Sequence, residues 1–268
     1  SNAIIAMVLV SLTSVIILGG LKRISNAASK MVPSMVILYF VLVLFILISN
    51  YEVVPKYFVM IFTDAFAAEN FKGEPFFGGV LGALILLGIR RGAFSNEAGI
   101  GTAPMAHGAA KTDEPVREGL VAMLGPAIDT LVVCTLTALA ILVTGVWETT
   151  SDNGVSLTAS AFNHAMPGYG AYLLMICVLI FSVSSLFSYA YYGSKCLSFL
   201  IGADKKHYYN YIYIISIILA VTTPFSMMLN LIDGVFALMA IPTMISTIIM
   251  APRVVKEIKG YIERIKED

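Results

Sequence analysis

Runs of apolar residues, set off by polar connections, organise this chain from end to end. Seven runs stand out: residues 4–20, 32–49, 78–110, 119–146, 169–201, 208–223 and 227–252. A helix needs about twenty apolar residues to cross the hydrocarbon layer of a bilayer, so these runs are of spanning length. They are too long and too continuous for barrel strands, which alternate apolar and polar residues. The pattern predicts an all-α membrane protein, a helical bundle of about seven transmembrane segments. Short polar connections lie at 21–30, 111–118 and 202–207. Two longer ones, 50–77 and 147–168, carry aromatics, Asn and acids and predict interfacial structure. Pro33, Pro224 and Pro252 fall at segment edges, where a missing backbone donor costs least. Asp233-Gly234 and Pro242 predict a local break inside the last segment.

The third run is interrupted. Between Arg90 and Pro104 it reads Arg-Arg-Gly-Ala-Phe-Ser-Asn-Glu-Ala-Gly-Ile-Gly-Thr-Ala-Pro, rich in glycine and carrying two arginines, an amide and an acid. Gly78, Gly82, Gly88 and Gly92 before it fit small-residue helix packing. That explanation fails for the stretch from Phe94 to Gly101, because packing glycines do not require Arg90, Arg91, Asn96 and Glu97 beside them. A charge near the bilayer centre costs about 2.5–3.5 kcal/mol on insertion scales, so partners or water are implied. The helix is expected to unwind near Phe94 to Gly99 and restart near Gly101, with Pro104 in the new first turn, where proline is tolerated.

Broken spanning helices of this kind hold substrate in secondary transporters, since freed backbone is tolerated only against protein or a water-lined cavity. The carbonyls of the first half can accept an ammonium group or coordinate Na⁺, and the N–H groups of the second half can hold a carboxylate. Ser95, Asn96 and Thr102 add donors and acceptors without full charge, while Ala98 and Gly99 leave room for a small ligand only. Glu97 and Arg90 or Arg91 are expected to pair with one another or with Asp129, as structural locks or gates rather than direct ligands.

Composition agrees with the segments. Of 268 residues 58% are hydrophobic and only 13% charged, with a mean hydropathy of +0.86; soluble domains are nearer half apolar and a quarter charged. The formal net charge is zero, which gives no electrostatic case for nucleic acid as a partner. Cys134, Cys177 and Cys196 lie in or beside apolar runs without metal-type spacing and are expected to be inert packing residues. Ser1-Asn2-Ala3 resembles a tag remnant or an arbitrary cut, with no basic n-region of a signal peptide after it. The chain is expected to be the C-terminal part of a longer protein.

Lys and Arg set the orientation. If 21–30 is cytoplasmic and every segment crosses, thirteen of them lie inside: Lys22, Arg23, Lys30, Lys111, Arg117, Lys195, Lys205, Lys206, Arg253, Lys256, Lys259, Arg264 and Lys266. Only Lys56 and Lys72 lie outside, Arg90 and Arg91 being within the third segment. Residues 253–268 then form a charged cytoplasmic tail, solvated at its end.

Further polar residues stand inside the segments. Asp129 is an intramembrane acid in a segment that also holds Pro126, Thr130, Thr135 and Thr137; it is either functional or the buried partner of an arginine. In the fifth segment Ser182, Ser184, Ser185 and Ser188 crowd seven residues. Such hydroxyls either bond back to the preceding turn or supply hard oxygen ligands to a cation. His107 is expected to be a packing or interface histidine. Glu97, His107 and Asp129 could serve acid–base chemistry, but no nucleophile or metal-ligand set accompanies them, so the chain is not expected to be an enzyme or to hold a cofactor.

These residues resemble a family. Arg91-Gly92-x-Phe94-Ser95-Asn96-Glu97-Ala98-Gly99-x-Gly101-Thr102-Ala103-Pro104 with Ala106-His107 is similar to the signature of the alanine or glycine:cation (sodium:alanine) symporters. Gly19-Gly20-x-Lys22-Arg23, Val32-Pro33, Asp129-Thr130, Cys134-Thr135, Tyr191-Tyr192-Gly193 and Met239-Ala240-Ile241-Pro242 follow the same pattern in family order. Two positions depart from it: Leu229 stands in place of a Trp and Thr243 in place of an Asn.

The resemblance implies a leucine-transporter-type fold of two inverted five-helix repeats working by alternating access. Residues 4–50 would end the first repeat and 78–252 form the second, within a single transmembrane domain over 1–268. The interrupted segment would be the sixth core helix, its site completed by a first helix outside this sequence. Phe94, Ser95, Asn96, Gly99, Ile100 and Thr102 would border the solute. The carbonyl of Phe181 with Ser184 and Ser185 would bind Na⁺. Arg90, Arg91, Glu97, Asp129 and Asp233 would be structural or gating charges. The function implied is Na⁺-coupled symport of a small neutral amino acid, alanine or glycine, by a multi-pass protein of a prokaryotic plasma membrane, its partners being that amino acid, Na⁺ and the bilayer. The alternatives are another small solute on the same scaffold, or a non-transporting fragment.

Overall fold

A computed structural model of the chain describes residues 2–17, 19, 21–66, 80–97, 99–205 and 207–267. Gly20, Lys72, Gly78, Ala98, Lys206 and residues 67–77 of the first long connection lie outside them. Every regular element among the described residues is helical. In order they are α1 (Asn2–Ile17), α2 (Leu21–Ser49), α3 (Val54–Ala65), α4 (Val80–Ser95), α5 (Thr102–His107) and α6 (Pro115–Ala127). A π-helical segment (Ile128–Cys134) joins α6 to α7 (Thr135–Thr144), and α8 (Val155–Ala165), α9 (Gly170–Ile201), α10 (His207–Thr222) and α11 (Phe225–Glu267) complete the chain. Among the described residues, four continuous helical stretches are long and apolar enough to cross a bilayer: Asn26–Ser49, Pro115–Thr144, Gly170–Ile201 and Ser226–Lys266. Met7–Ile17 and Tyr208–Thr222 are shorter apolar helices.

Three sequence expectations about helix ends are corrected. The connection 21–30 is not a loop: α2 begins at Leu21 and runs through Pro33. The last segment has no second break, because α11 is continuous past Asp233, Gly234 and Pro242. It also passes Pro252 and carries the tail to Glu267, so Pro252 is not an edge. For the polar ends of α2 and α11 the physical reason is that polarity marks where an apolar run ends, whereas Ala, Lys, Arg and Glu are all good helix formers and propagate a helix in water as well. The two long connections contain helices, α3 and α8.

Contacts gather the residues into two compact units. One comprises residues 16–90 and 130–189. Its core joins Leu42, Val43, Ile46 and Leu47 of α2, Leu139, Ala140 and Val143 of α7, Phe162 of α8, and Leu174 and Cys177 of α9. On α2 these positions recur at one and three to four residues, a single helical face. Tyr39 stacks on Phe162 with ring centroids 6.1 Å apart. Its hydroxyl also bonds Thr137; the threonine donates its own proton to the Val133 carbonyl at 2.7 Å, so the tyrosine is the donor. Gly170 packs so tightly that a Cβ there would lie 2.0 Å from the Phe162 carbonyl oxygen. Of the three cysteines only Cys177 is buried; Cys134 and Cys196 are exposed, against the expectation for all three.

The other unit comprises residues 1–15, 91–129 and 190–268. Here Gly193 of α9 abuts the Tyr209 ring of α10, with a built Cβ 1.9 Å from its Cζ. The α5–α6 hairpin is closed by His107, whose Nδ1 lies 2.7 Å from Glu118 Oε1. Arg264, near the end of α11, reaches Glu114 at 3.9 Å, an exposed contact of small energetic weight.

Candidate functional site

The break in the third segment falls where the sequence predicts it. α4 ends at Ser95 and α5 starts at Thr102. The last α4-type bond runs from the Asn96 N–H to the Gly92 carbonyl at 3.0 Å, and the Glu97 N–H then closes a tighter turn on Phe94 at 3.3 Å. Beyond that, Glu97, Gly99 and Gly101 all take positive φ, +51°, +76° and +86°. An α-helix cannot absorb three left-handed residues, so the chain uncoils and restarts. Two of the three are glycine, which meets that conformation without steric penalty. Glu97 does not, and a non-glycine residue held there stores backbone strain. Pro104 is the third residue of α5, where no intrahelical donor is needed.

The two sides of this stretch differ. Toward α11, a Cβ on Gly99 would meet Met244 Cγ at 3.7 Å, and one on Gly101 would meet Thr243 Oγ1 at 3.1 Å. Phe94 packs on Phe236 with centroids 5.0 Å apart. Ile100 and Thr102 are buried, and the Thr102 hydroxyl, 2% exposed, has no hydrogen-bond partner among the described residues. A buried orphan hydroxyl costs about 1–3 kcal/mol and so points to a role beyond packing. On another side, Ser95 Oγ lies 2.7 Å from Asp129 Oδ2. Asn96 is partly buried, whereas Arg90 and Arg91 are exposed. Asp129 therefore meets a serine where the sequence offered an arginine. Glu97 stands within electrostatic reach of Tyr192 on α9. Asp233 is half-buried on α11.

Asp129 occupies the second position of the π-helical segment. Pro126, three residues before it and inside α6, lacks the N–H that the Ala122 carbonyl would receive in an α-helix. π-helical turns concentrate at functional sites.

The serine cluster of α9 belongs to the unit that holds the α2–α7–α8 core. Ser184 is buried, and its hydroxyl donates to the Phe181 carbonyl at 2.8 Å. Ser188 in turn donates to the Ser184 carbonyl at 3.2 Å, while Ser185 is half-buried. Of the two sequence alternatives, the structure shows the back-bonded one. The hydroxyls bond back to the preceding turn, and doing so brings the Phe181 and Ser184 oxygens together on one face. Rotation of the Ser184 proton away from Phe181 would turn both lone-pair sets toward a hard cation.

The profile of the sodium:alanine symporter family matches residues 1–268 of this chain. The sodium/alanine symporter AgcS of Methanococcus maripaludis is 37% identical over 268 residues, covering 99% of this chain and 58% of the relative. The probable sodium/glutamine symporter GlnT of Bacillus subtilis is 31% identical over 263 residues, covering 98% and 54%. The sodium/proton-dependent alanine carrier protein of Bacillus sp. PS3 is 32% identical over 204 residues, covering 71% and 45%. The chain thus spans about half the length of these relatives. No solved structure matches it.

Proposed function

The chain belongs to the sodium:alanine symporter family, and from that premise we propose that its protein imports a small neutral amino acid, alanine or glycine, together with Na⁺. The observation that carries the reading is the uncoiled stretch between α4 and α5, with three left-handed residues inside an apolar segment. Backbone freed from helical pairing at membrane depth is stable only against protein or a polar cavity, and a zwitterion matches what it offers. Phe94, Ser95, Asn96, Gly99, Ile100 and Thr102 border the solute in this proposal. The Phe181 carbonyl, Ser184 and Ser185 bind the coupling ion. Arg90, Arg91, Glu97, Asp129 and Asp233 act as locks or gates. Alternating access then proceeds on a leucine-transporter-type scaffold with all seven segments crossing the plasma membrane. Residues 4–50 end one repeat, 78–252 form the other, and the tail 253–268 is cytoplasmic, as the thirteen-to-two distribution of Lys and Arg favours.

Labelled alanine uptake into liposomes, with protein expressed from its complete gene, tests the reading. An inward Na⁺ gradient is expected to drive accumulation, and uptake indifferent to Na⁺ would sink the symport mechanism. A glutamine carrier among the relatives supports a second reading, another small solute on the same scaffold; competition by unlabelled alanine, glycine and glutamine decides between them. At the ion site, Ser185→Ala is expected to raise the half-saturating Na⁺ concentration about tenfold, the worth of one ion–oxygen contact near 1.4 kcal/mol. Saturating transport should change less. An unaltered Na⁺ requirement in that variant removes Ser185 from the site.

A further inference from the structure

A serine hydroxyl has one proton to give and two lone pairs to offer. At the last residue of α4 that proton is committed: Ser95 Oγ lies 2.7 Å from Asp129 Oδ2, and an ionised carboxylate only accepts. What Ser95 still offers a ligand is its lone pairs, beside a negative charge. Such a pair attracts a cationic group and repels a carboxylate. We infer that Asp129 is a positioning residue of the solute site, holding Ser95 Oγ as an acceptor and so setting which end of the ligand meets the last turn of α4.

Two further observations bear on this. The carboxylate projects from the second position of the π-helical segment, a departure from α-helical register. Among the described residues, no arginine or lysine nitrogen lies within ion-pair distance of it. Arg90, Arg91 and Glu97 flank Ser95 along its own segment, and Asp233 stands on α11, yet the contact made by Asp129 is with the serine. Among the described residues, the contact that Asp129 makes is through Ser95. The group recognised is a monovalent cation, either the ammonium of the solute or the coupling ion. The inference rests on the reading of Ser95 as a residue that borders the solute.

The test measures two constants in proteoliposomes holding the protein expressed from its complete gene. These are the alanine KM at saturating Na⁺ and the half-saturating Na⁺ at saturating alanine. Ser95→Ala and Asp129→Asn are each expected to raise one of them about tenfold, the scale of a lost charge-assisted hydrogen bond, with Vmax within about twofold. Because the two residues act as one unit, the double variant is expected to be no worse than either single one. Ser95→Thr keeps the hydroxyl and is expected to stay near the unsubstituted value. A raised alanine KM assigns the ammonium, and a raised Na⁺ requirement assigns the ion. Two unmoved constants, with only Vmax or protein amount reduced, overturn the inference, because a structural residue behaves that way. Effects that multiply in the double variant overturn it too, since Asp129 would then act independently of Ser95. Should Asp129→Asn fail to reach the membrane, Asp129→Glu displaces the carboxylate by one methylene and is read on the same two constants. Na⁺-indifferent uptake by the unsubstituted protein would instead strike the symport reading, and the alanine KM would still decide the role of Asp129.

Discussion

Gly101→Ala is expected to reduce solute uptake at least tenfold while the protein still reaches the membrane in near-normal amount. Gly101 holds φ +86° at the residue just before α5. An L residue there costs roughly 1–2 kcal/mol, through the clash of its Cβ with the following carbonyl. The added methyl would also lie 3.1 Å from Thr243 Oγ1. That hydroxyl cannot simply rotate away, because it donates to the Met239 carbonyl at 2.9 Å. The two costs fall on the restart of the helix, so they shift the break rather than unfold the bundle. Combining Gly101→Ala with Thr243→Ala separates them. The second change relieves the contact and leaves the φ strain, so partial recovery is expected. Full recovery would mean that crowding by α11, and not the left-handed backbone, matters at this position. Uptake by Gly101→Ala within about twofold of normal would remove the break from the mechanism.

The second large effect is on stability. Gly170→Ala would bring a methyl to 2.0 Å from the Phe162 carbonyl oxygen, 2.5 Å from its carbon and 3.0 Å from the Asn163 nitrogen. All three are backbone atoms, so no side chain can swing aside and α8 must lift from the start of α9. Phe162 sits at the centre of the buried cluster, fully enclosed and stacked on Tyr39. Overpacking of this kind costs about 1–3 kcal/mol or more. The expected outcome is a clearly lowered unfolding temperature in detergent and a poor yield. Gly193→Ala provides the contrast. Its methyl would collide at 1.9–2.5 Å with the Tyr209 ring, the far end of a side chain that can turn. A smaller loss of stability is therefore expected. Equal or reversed losses would show that α8 yields more readily than its backbone contact suggests.

How far the sequence reached can be judged residue by residue. The break was legible because Asn96, Gly99, Gly101 and Pro104 each disfavour a continuous helix for a local reason. The left-handed conformations at Glu97, Gly99 and Gly101 stand inside the predicted interval. The ends of α2 and α11 were not legible from hydropathy, since Lys22 to Lys30 and Arg253 to Lys266 are polar and helical at once. Pro242 and Pro252 read as breakers, but α11 runs through both. Asp129 was recognisable as a costly residue, while its partner was not.

The amino-acid sequence by itself determined the class of molecule. Apolar runs of spanning length exclude a soluble domain, the balance of Lys and Arg favours one orientation, and the glycine-rich interruption marks where one segment must come apart. These follow from local or summed properties, which need no knowledge of what lies opposite. The tertiary structure alone decided the partners: Ser95 with Asp129 across 34 residues, Gly101 against Thr243, Tyr39 against Thr137 across 98, and Gly170 against the Phe162 backbone. Periodicity fixes which face a residue occupies but not which helix meets it. The same uncoiled stretch could have been met by a cation, a hydroxyl or a carboxylate, and only the packing of α11 on one side and Asp129 on the other selects among them.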